Sequence, residues 1–224
     1  MANQNKYSYP YPRPSLTVDA VVFTFENGEL KVLLIKRAHE PFKDQWAFPG
    51  GFVDENETVE AAVLRELAEE TGLKDIELKQ FYTASAPGRD PRGWTVSTFF
   101  YGYVPVSFST VTAGDDAGEA AWYPVAGPPA MGFDHRELLR LSLEVIRKEA
   151  IGFITGTRLF PDTFTQKEIL DFYRQITGTE NIAAGIVQRL LDANGIVICR
   201  KDGKYLLKFN NSVMAEIRRN GFIF

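Results

Sequence analysis

The residues from Gly50 to Leu73 constrain this chain more than any other stretch. Gly50 and Gly51 end a short loop that begins at Trp46, and strong helix formers then run from Thr58 to Thr71 before Gly72 closes the run. Thr58 is placed to cap the start of that helix and Gly72 its end. At about 100° of turn per residue, Glu69, Glu66 and Glu70 fall at roughly −60°, 0° and +40° around it, so three carboxylates share one narrow face. Val59, Val63, Leu64 and Leu67 fill the adjoining sector and are expected to dock the helix on a sheet.

Like charges three and four residues apart repel by a few tenths of a kcal/mol in water, and by more when partly buried. A divalent cation offsets that repulsion, and hard oxygen donors suit Mg²⁺ or Mn²⁺. A polyphosphate needs the same ion. Its negative charge repels a hydroxide nucleophile, whereas a metal neutralises phosphate oxygens and lowers the pKa of a bound water. Arg65, four residues before Glu69, is placed to hold that carboxylate. Gly50 and Gly51 carry no Cβ and permit close approach of loop backbone to metal or phosphate.

Three glutamates by themselves describe an ordinary solvated helix face. The full spacing is more demanding: Gly51, five residues, Glu57, seven residues, Arg65-Glu66-Leu67, one residue, Glu69-Glu70, one residue, Gly72-Leu73. At ordinary residue frequencies it arises by chance on the order of once in 10⁷ chains of this length.

Around this segment, β-type runs from Leu16 to Phe25 and from Leu30 to Arg37 flank Asn27-Gly28, a hairpin signal. Further β-type runs cover Ile76 to Ala84, Thr95 to Val106 and Ala120 to Val125. After the break at Gly127-Pro128-Pro129, an amphipathic helix is expected from about Asp134 to Lys148. Beyond Pro161 the texture changes. Thr165 to Ile176 reads as a helix capped by Thr165, with Ile169, Phe172, Tyr173 and Ile176 at helical spacing, and Ile182 to Ala193 reads as a second helix. Ile196 to Arg200 and Tyr205 to Phe209 then flank the turn Asp202-Gly203. Helix, turn, helix and two short strands suit a winged helix.

With 45% hydrophobic and 24% charged residues, the chain has the composition of a folded protein and not of a disordered one. Residues 1–15 are polar and rich in Tyr and Pro, without the apolar core of a secretion signal, and no later run approaches a membrane span. A cytoplasmic protein without membrane contact is expected. Cys199 stands alone, which excludes an internal disulfide framework or a cysteine-rich zinc site, and it is expected as a buried strand residue. The net charge of −4 argues against an indiscriminate nucleic-acid coat. Residues 161–224 hold 9 Lys and Arg against 7 Asp and Glu, a sum of +2, which leaves −6 for residues 1–160. The tail can approach DNA; the front is unsuited to it.

The Gly51 to Leu73 residues match every fixed position of the Nudix hydrolase signature, and the first domain resembles that superfamily. The resemblance implies an α/β/α sandwich with a mixed sheet, and cleavage of a nucleoside diphosphate linked to a further group X. By position it implies that Glu66, Glu69 and Glu70 are metal ligands or the base, with Glu57 supporting the cluster, Arg65 orienting it and Gly50 lending a carbonyl to the metal. The base can lie outside the motif, and Asp115, Asp116 and Glu119 are the outside candidates.

A narrower resemblance covers most of the chain. Glu40-Pro41-Phe42, Trp46 to Val53, Arg89-Asp90-Pro91-Arg92-Gly93, Phe133-Asp134-His135 and Phe164-Thr165 look like the Nudix-related transcriptional regulators of NAD and sugar metabolism. Those proteins join a Nudix domain to a winged helix, and their sensor domains are associated with ADP-ribose or related sugar phosphates. The implied organisation is a flexible arm over 1–15, a Nudix domain over 16–150 and a small α+β winged-helix-like domain over 151–224. A homodimer is implied by the same resemblance.

Arg89 and Arg92 suit a clamp on phosphate or ribose oxygens, against the alternative of a structural turn with an Asp90 salt bridge. Phe42, Trp46 and Trp94 are candidates for stacking on adenine, against the commoner core role of aromatics. Arg37, at the end of a strand, is placed to face the site, and His135 reads as a structural residue near a helix start. The regulators carry an Asn-Phe-Arg-Arg-Lys type segment in the recognition helix. The matching stretch here, Ile186 to Leu190, keeps only Arg189 as a basic residue. Gln188 and Arg189, with Arg200 and Lys201 in the wing, are the residues left to meet duplex DNA. Two functions follow: a metal-dependent pyrophosphohydrolase, which the complete glutamate set favours, and a ligand-responsive DNA-binding regulator that uses the Nudix pocket as sensor.

Overall fold

A computed structural model describes residues 9–104, 111, 117–151, 163–178, 197–201 and 204–208. Strand β1 (Ser15–Glu26) turns into β2 (Glu29–Arg37) through Asn27 and Gly28 at φ 54° and 80°. Both are left-handed, as a two-residue turn matched to the twist of the strands requires, and Asn-Gly supplies that at little cost. β1 pairs in parallel with β6 (Thr95–Tyr103) and antiparallel with β4 (Gly50–Phe52). β5 (Leu78–Ala84) borders β6, while β3 (Trp46–Ala47) and β7 (Ala117–Pro124) both pair with β2. The result is a mixed seven-stranded sheet with the main path β3-β2-β1-β6-β5.

The sheet is covered on both faces, so β1 is buried from Thr17 to Phe25 without alternation. Alternate residues still divide between two layers. Val18, Ala20 and Val22 meet Ala62, Val63 and Leu67 of α1 (Val59–Thr71). Val21, Phe23 and Phe25 meet Leu138, Leu139 and Ile146 of α2 (His135–Ile151), together with Phe172, Tyr173 and Ile176 of α3 (Gln166–Thr177). This is the expected α/β/α sandwich.

Helix α1 begins and ends where the capping pattern predicts. Thr58 Oγ1 accepts from the Ala61 N–H at 3.2 Å, and Gly72 takes φ 74° and donates to the Ala68 carbonyl at 3.0 Å. One expected core residue is displaced: Leu64 is 42% exposed, while Ala62 and Thr71 are buried. The helix turns a different sector to the sheet, centred between Val63 and Glu66, and Leu64 falls about 100° beyond Val63. The expected loop from Trp46 to Gly51 contains the short strands β3 and β4. Strand β5 starts at Leu78 instead of Ile76, because Asp75 at φ 57° is still turning the chain out of α1.

Thr165 caps α3 through a reciprocal pair: its hydroxyl accepts from the Glu168 N–H at 3.2 Å, and the Glu168 carboxylate accepts from the Thr165 N–H at 2.6 Å. The helix then docks on the first sheet. Phe172 meets Phe25 edge-on at 5.3 Å, the Leu30 N–H donates to Gln175 Oε1 at 2.6 Å, and Gln175 Nε2 donates to the Gly28 carbonyl. Phe172, Tyr173 and Ile176 thus share one apolar cluster with β1 and α2, since an apolar helix face buries itself wherever apolar surface is offered.

Strands β8 (Thr163–Thr165), β9 (Val197–Lys201) and β10 (Lys204–Lys208) form a small antiparallel sheet in the order β8-β10-β9. The β9–β10 pairing brackets the predicted turn at residues 202–203. The expected helix from Ile182 to Ala193, with Gln188 and Arg189, lies outside the described residues, as do Asp115 and Asp116. Among the described residues no helix is long and apolar enough to cross a membrane.

Candidate active site

The glycine loop and the acidic helix meet without spare room. Gly50 pairs with Asp19 in the β1–β4 ladder, and a Cβ there would lie 2.2 Å from the Val18 carbonyl oxygen. A Cβ on Gly51 would lie 2.4 Å from Glu66 Oε1. Neither glycine needs an unusual φ; Gly50 is required by the close approach of backbone, whereas Gly51 leaves room for the end of the Glu66 side chain. The Gly50 N–H donates to Glu70 Oε2 at 2.8 Å. Seven residues after Val63, Glu70 lies within about 20° of it around the helix, so docking α1 on the sheet also buries this carboxylate. Burial pushes its pKa up to about 8; Glu66 and Asp19 add to the rise, while the Gly50 N–H and Arg37 oppose it. Glu66 is raised too, by burial first, with Arg65 opposing.

Arg65 ties three of the signature carboxylates together. It grips Glu57 with two bonds of 2.9 and 2.8 Å, reaches Glu66 at 2.8 Å and Glu69 at 3.3 Å, and donates to the Phe52 carbonyl at 3.0 Å. Its planar fork makes this possible, and its bond to Glu57 holds that carboxyl below the usual range. Glu69, the partner expected from spacing, is the most weakly held and is 61% exposed.

Among the described residues no group of three or more His, Cys, Asp or Glu side chains already stands in position to hold an ion. Glu66 is turned to Arg65, and Glu70 to Gly50. The donor set nevertheless fits a hard dication. Two partly buried carboxylates on successive turns have raised pKa values that a cation would relieve, and no Cβ separates them from the loop backbone.

A cavity opens beside the loop, and Asp19, Arg37, Gly50, Gly51, Arg89, Asp90, Arg92, Phe133 and His135 are among its lining residues. Its three arginines differ in charge balance. Arg89, with a side chain 6% exposed, makes bonds of 2.9 and 2.7 Å to Asp134. Arg92 grips Asp90, with a shortest bond of 2.7 Å, so the Asp90 pair weighed from sequence exists but belongs to Arg92 and not Arg89. Arg37 donates only to the carbonyls of Pro41 at 2.8 Å and His39 at 3.4 Å, with no carboxylate within 4.0 Å among the described residues.

Asp19 is the site residue that sequence reasoning missed. Ser97 Oγ donates to one carboxylate oxygen and His135 Nε2 lies 3.6 Å from the other, while burial pushes the pKa up to about 7. The signal was present as a lone carboxylate inside an apolar strand. His135 is structural, as expected: its Nδ1 accepts from the Phe48 N–H at 3.1 Å, and burial pushes its pKa down to about 3.

Other candidates are not brought to the cavity wall. Trp46 meets Tyr123 at 4.7 Å and packs on the core, because β3 turns it away from the cavity; this corrects its assignment as a stacking residue. Phe42 lies behind the wall, against Phe133 at 4.7 Å, and Trp94 is exposed at the start of β6. Glu119 is exposed on β7 opposite Lys36, outside the cavity lining. Arg200 and Lys201 lie on β9, opposite Tyr205 and Lys204.

Known proteins resemble this chain in sequence and fold. Residues 14–141 match the NUDIX domain family. The chain is 30% identical over 190 residues to the ADPR responsive transcriptional repressor NtrR of Acinetobacter baylyi, spanning 84% of this chain and 76% of that protein. It is 41% identical over 130 residues to an ADP-ribose pyrophosphatase of Methanocaldococcus jannaschii, spanning 58% of this chain and 73% of that one. A MutT/nudix family protein from Enterococcus faecalis superposes with a TM-score of 0.79 at 28% identity, covering 91% of this chain and 90% of that one. Shewanella oneidensis NrtR complexed with a 27mer DNA gives a TM-score of 0.72 at 27% identity, covering 89% and 95%. With its glycine loop, acidic helix and sandwich matched over more than half its length, the chain belongs to the Nudix family.

Proposed function

We propose that this chain is a divalent-metal-dependent pyrophosphohydrolase of nucleoside diphosphates linked to a further group, with ADP-ribose or a related nucleotide sugar as substrate. The observation that carries this reading is the junction of Gly50 and Gly51 with Glu66 and Glu70, beside a cavity walled by arginines. The M. jannaschii relative, named for ADP-ribose pyrophosphatase activity, supports the choice of substrate.

Glu66, Glu69, Glu70 and the Gly50 carbonyl would hold Mg²⁺ or Mn²⁺, which supplies Lewis acidity and a water of lowered pKa when bound. Arg65 keeps Glu57 and Glu66 in place, so that the side chains nearest the loop pay little ordering cost on binding. Glu70, whose carboxylate accepts the Gly50 N–H beside the loop, suits the role of accepting a proton from the attacking water. Asp115, Asp116 and Glu119 remain the outside candidates for that role. Arg37, Arg89 and Arg92 face the anionic part of the substrate; Arg89, closed by Asp134, shapes the wall.

The assay is direct. With Mg²⁺, ADP-ribose or another member of a nucleotide-sugar panel should yield a nucleoside monophosphate and a sugar phosphate, and Glu69→Gln and Glu70→Gln should abolish turnover. No turnover of any panel member sinks the proposal.

A second reading is carried by α3, which joins the C-terminal part of the chain to the β1–β2 hairpin, and by the similarity to the A. baylyi repressor over 84% of this chain. In it, residues 16–150 sense a nucleotide and residues 151–224, with Gln188, Arg189, Arg200 and Lys201, meet duplex DNA as part of a homodimer. Salt-dependent binding to the DNA upstream of the chain's own operon should respond to ADP-ribose and weaken on Arg189→Ala. Failure to shift any such fragment at low salt removes this reading.

A further inference from the structure

Phe133 has two guanidinium groups within reach of its ring on the cavity wall. The Arg37 Cζ lies 4.9 Å from its ring centroid and the Arg92 Cζ 5.3 Å, both within cation–π range. Phe42 packs against the same ring at 4.7 Å. The backbone is shaped to hold this stack. Phe133 takes φ 52° and Phe42 φ 63°, a left-handed conformation that an aromatic residue keeps only when its surroundings over-determine it. Gly132 donates to the Trp46 carbonyl at 2.9 Å, and a Cβ on Gly132 would lie 2.9 Å from Phe42 Cβ, so the glycine lets Phe42 close behind the ring.

Charge balance separates the two arginines. Arg92 is neutralised by Asp90, whereas Arg37 is half-buried beside Arg92 and, among the described residues, donates only to backbone carbonyls. Asp19, Glu70 and Asp90 reach Arg37 only through space, and no carboxylate bonds to it among the described residues; since this partly desolvated guanidinium lines the cavity next to a second cation, an anion entering the cavity meets it directly.

We infer that Phe133 is the positioning residue of an anion clamp, in which its ring holds Arg37 beside Arg92 and Arg37 takes a phosphate of the ligand. The inference rests on the hydrolase reading for the ligand's identity, but not for the clamp itself. A planar fork held at a fixed angle meets two phosphate oxygens at once, which a mobile side chain does less often.

Isothermal titration calorimetry of the full chain in EDTA, with ADP-ribose and with inorganic pyrophosphate as probes, tests this. Arg37→Gln and Phe133→Leu should each weaken binding by about tenfold. The double variant should fall no more than about threefold below the weaker single, because both act through one contact. Phe133→Tyr should restore affinity to within about twofold, since it keeps the ring. In hydrolysis assays Phe133→Leu should raise KM and leave kcat nearly unchanged. Should Phe133→Leu fail to fold, Phe133→Gly, which suits the positive φ, replaces it.

Full affinity in Arg37→Gln, fully additive losses, or a fall in kcat at constant KM for Phe133→Leu overturns the clamp. Pyrophosphate binding that depends on Arg37 and Phe133 without ADP-ribose binding keeps the clamp and removes the proposed substrate. Hydrolysis of ADP-ribose indifferent to both residues keeps the hydrolase and removes the clamp. A wild-type chain that binds neither probe overturns the clamp.

Discussion

The Gly50 N–H donates to the Glu70 carboxylate at 2.8 Å, and that bond joins the glycine loop to the acidic helix across the edge of the sheet. It fixes where the loop backbone sits relative to the buried carboxylates.

Gly50→Ala places a methyl group 2.2 Å from the Val18 carbonyl oxygen, where only backbone movement relieves it. Overpacking of this kind costs about 1–3 kcal/mol. A lower Tm is expected, with at least about a tenfold fall in kcat/KM as the loop moves off Glu70. Thermal melting and steady-state assays check both, and unchanged activity contradicts the close-approach argument.

Arg65 serves Glu57, Glu66 and Glu69 at once, which a lysine cannot do with a single ammonium. Arg65→Lys is therefore expected to resemble Arg65→Gln more than wild type. It should need about 10–100-fold more divalent cation for half-maximal activity, the usual cost of losing a residue that holds metal ligands in place. A magnesium titration of activity measures this; an unchanged midpoint in Arg65→Lys contradicts it.

His135 links pH to stability. Its folded pKa is pushed down to about 3 from an ordinary value near 6.5, so below about pH 6.5 the unfolded chain binds a proton that the folded protein excludes. Stability from this group is intact above pH 6.5 and is lost as pH falls toward 3, by up to about 1.4 kcal/mol per unit. Asp19, Asp134, Arg89, Arg37 and Arg92 surround the imidazole. Asp19 acts in the opposite sense: its pKa is raised to about 7, so its contribution is greatest in acid and is lost as pH rises through 7. His135→Gln should flatten the acid limb of stability measured by urea unfolding. An acid limb as steep as that of wild type contradicts the assignment.

Gln175 holds α3 to the hairpin through the Leu30 N–H and the Gly28 carbonyl. Gln175→Ala leaves a partly buried N–H without a partner, a loss of about 1–3 kcal/mol in urea unfolding. Stability equal to wild type would show that α3 does not depend on this contact.

Local signals made the elements legible. Asn27-Gly28 supplies two left-handed residues, Thr58 and Gly72 cap a helix, and Thr165 is followed by Glu168 at the capping-box spacing. The helical wheel also brought Glu66, Glu69 and Glu70 to one side. It did not give depth: Glu70 is buried and Glu69 exposed because the sheet, far away in sequence, decides which sector of α1 is covered. For the same reason pairings were out of reach. Arg89 finds Asp134 across 45 residues and Asp19 finds Ser97 across 78, while spacing within one helix pointed Arg65 to the weakest of its three glutamate partners. Trp46 looked like a stacking residue because composition does not tell which side of a two-residue strand faces a cavity.

The central claim is that Glu66 and Glu70 share a dication beneath the glycine loop. Anomalous diffraction from crystals soaked in manganese tests it most directly. A peak is predicted at ligand distance from both carboxylates and the Gly50 carbonyl, with Glu66 still held by Arg65 through one oxygen and facing the ion with the other. No peak there at saturating manganese would contradict it.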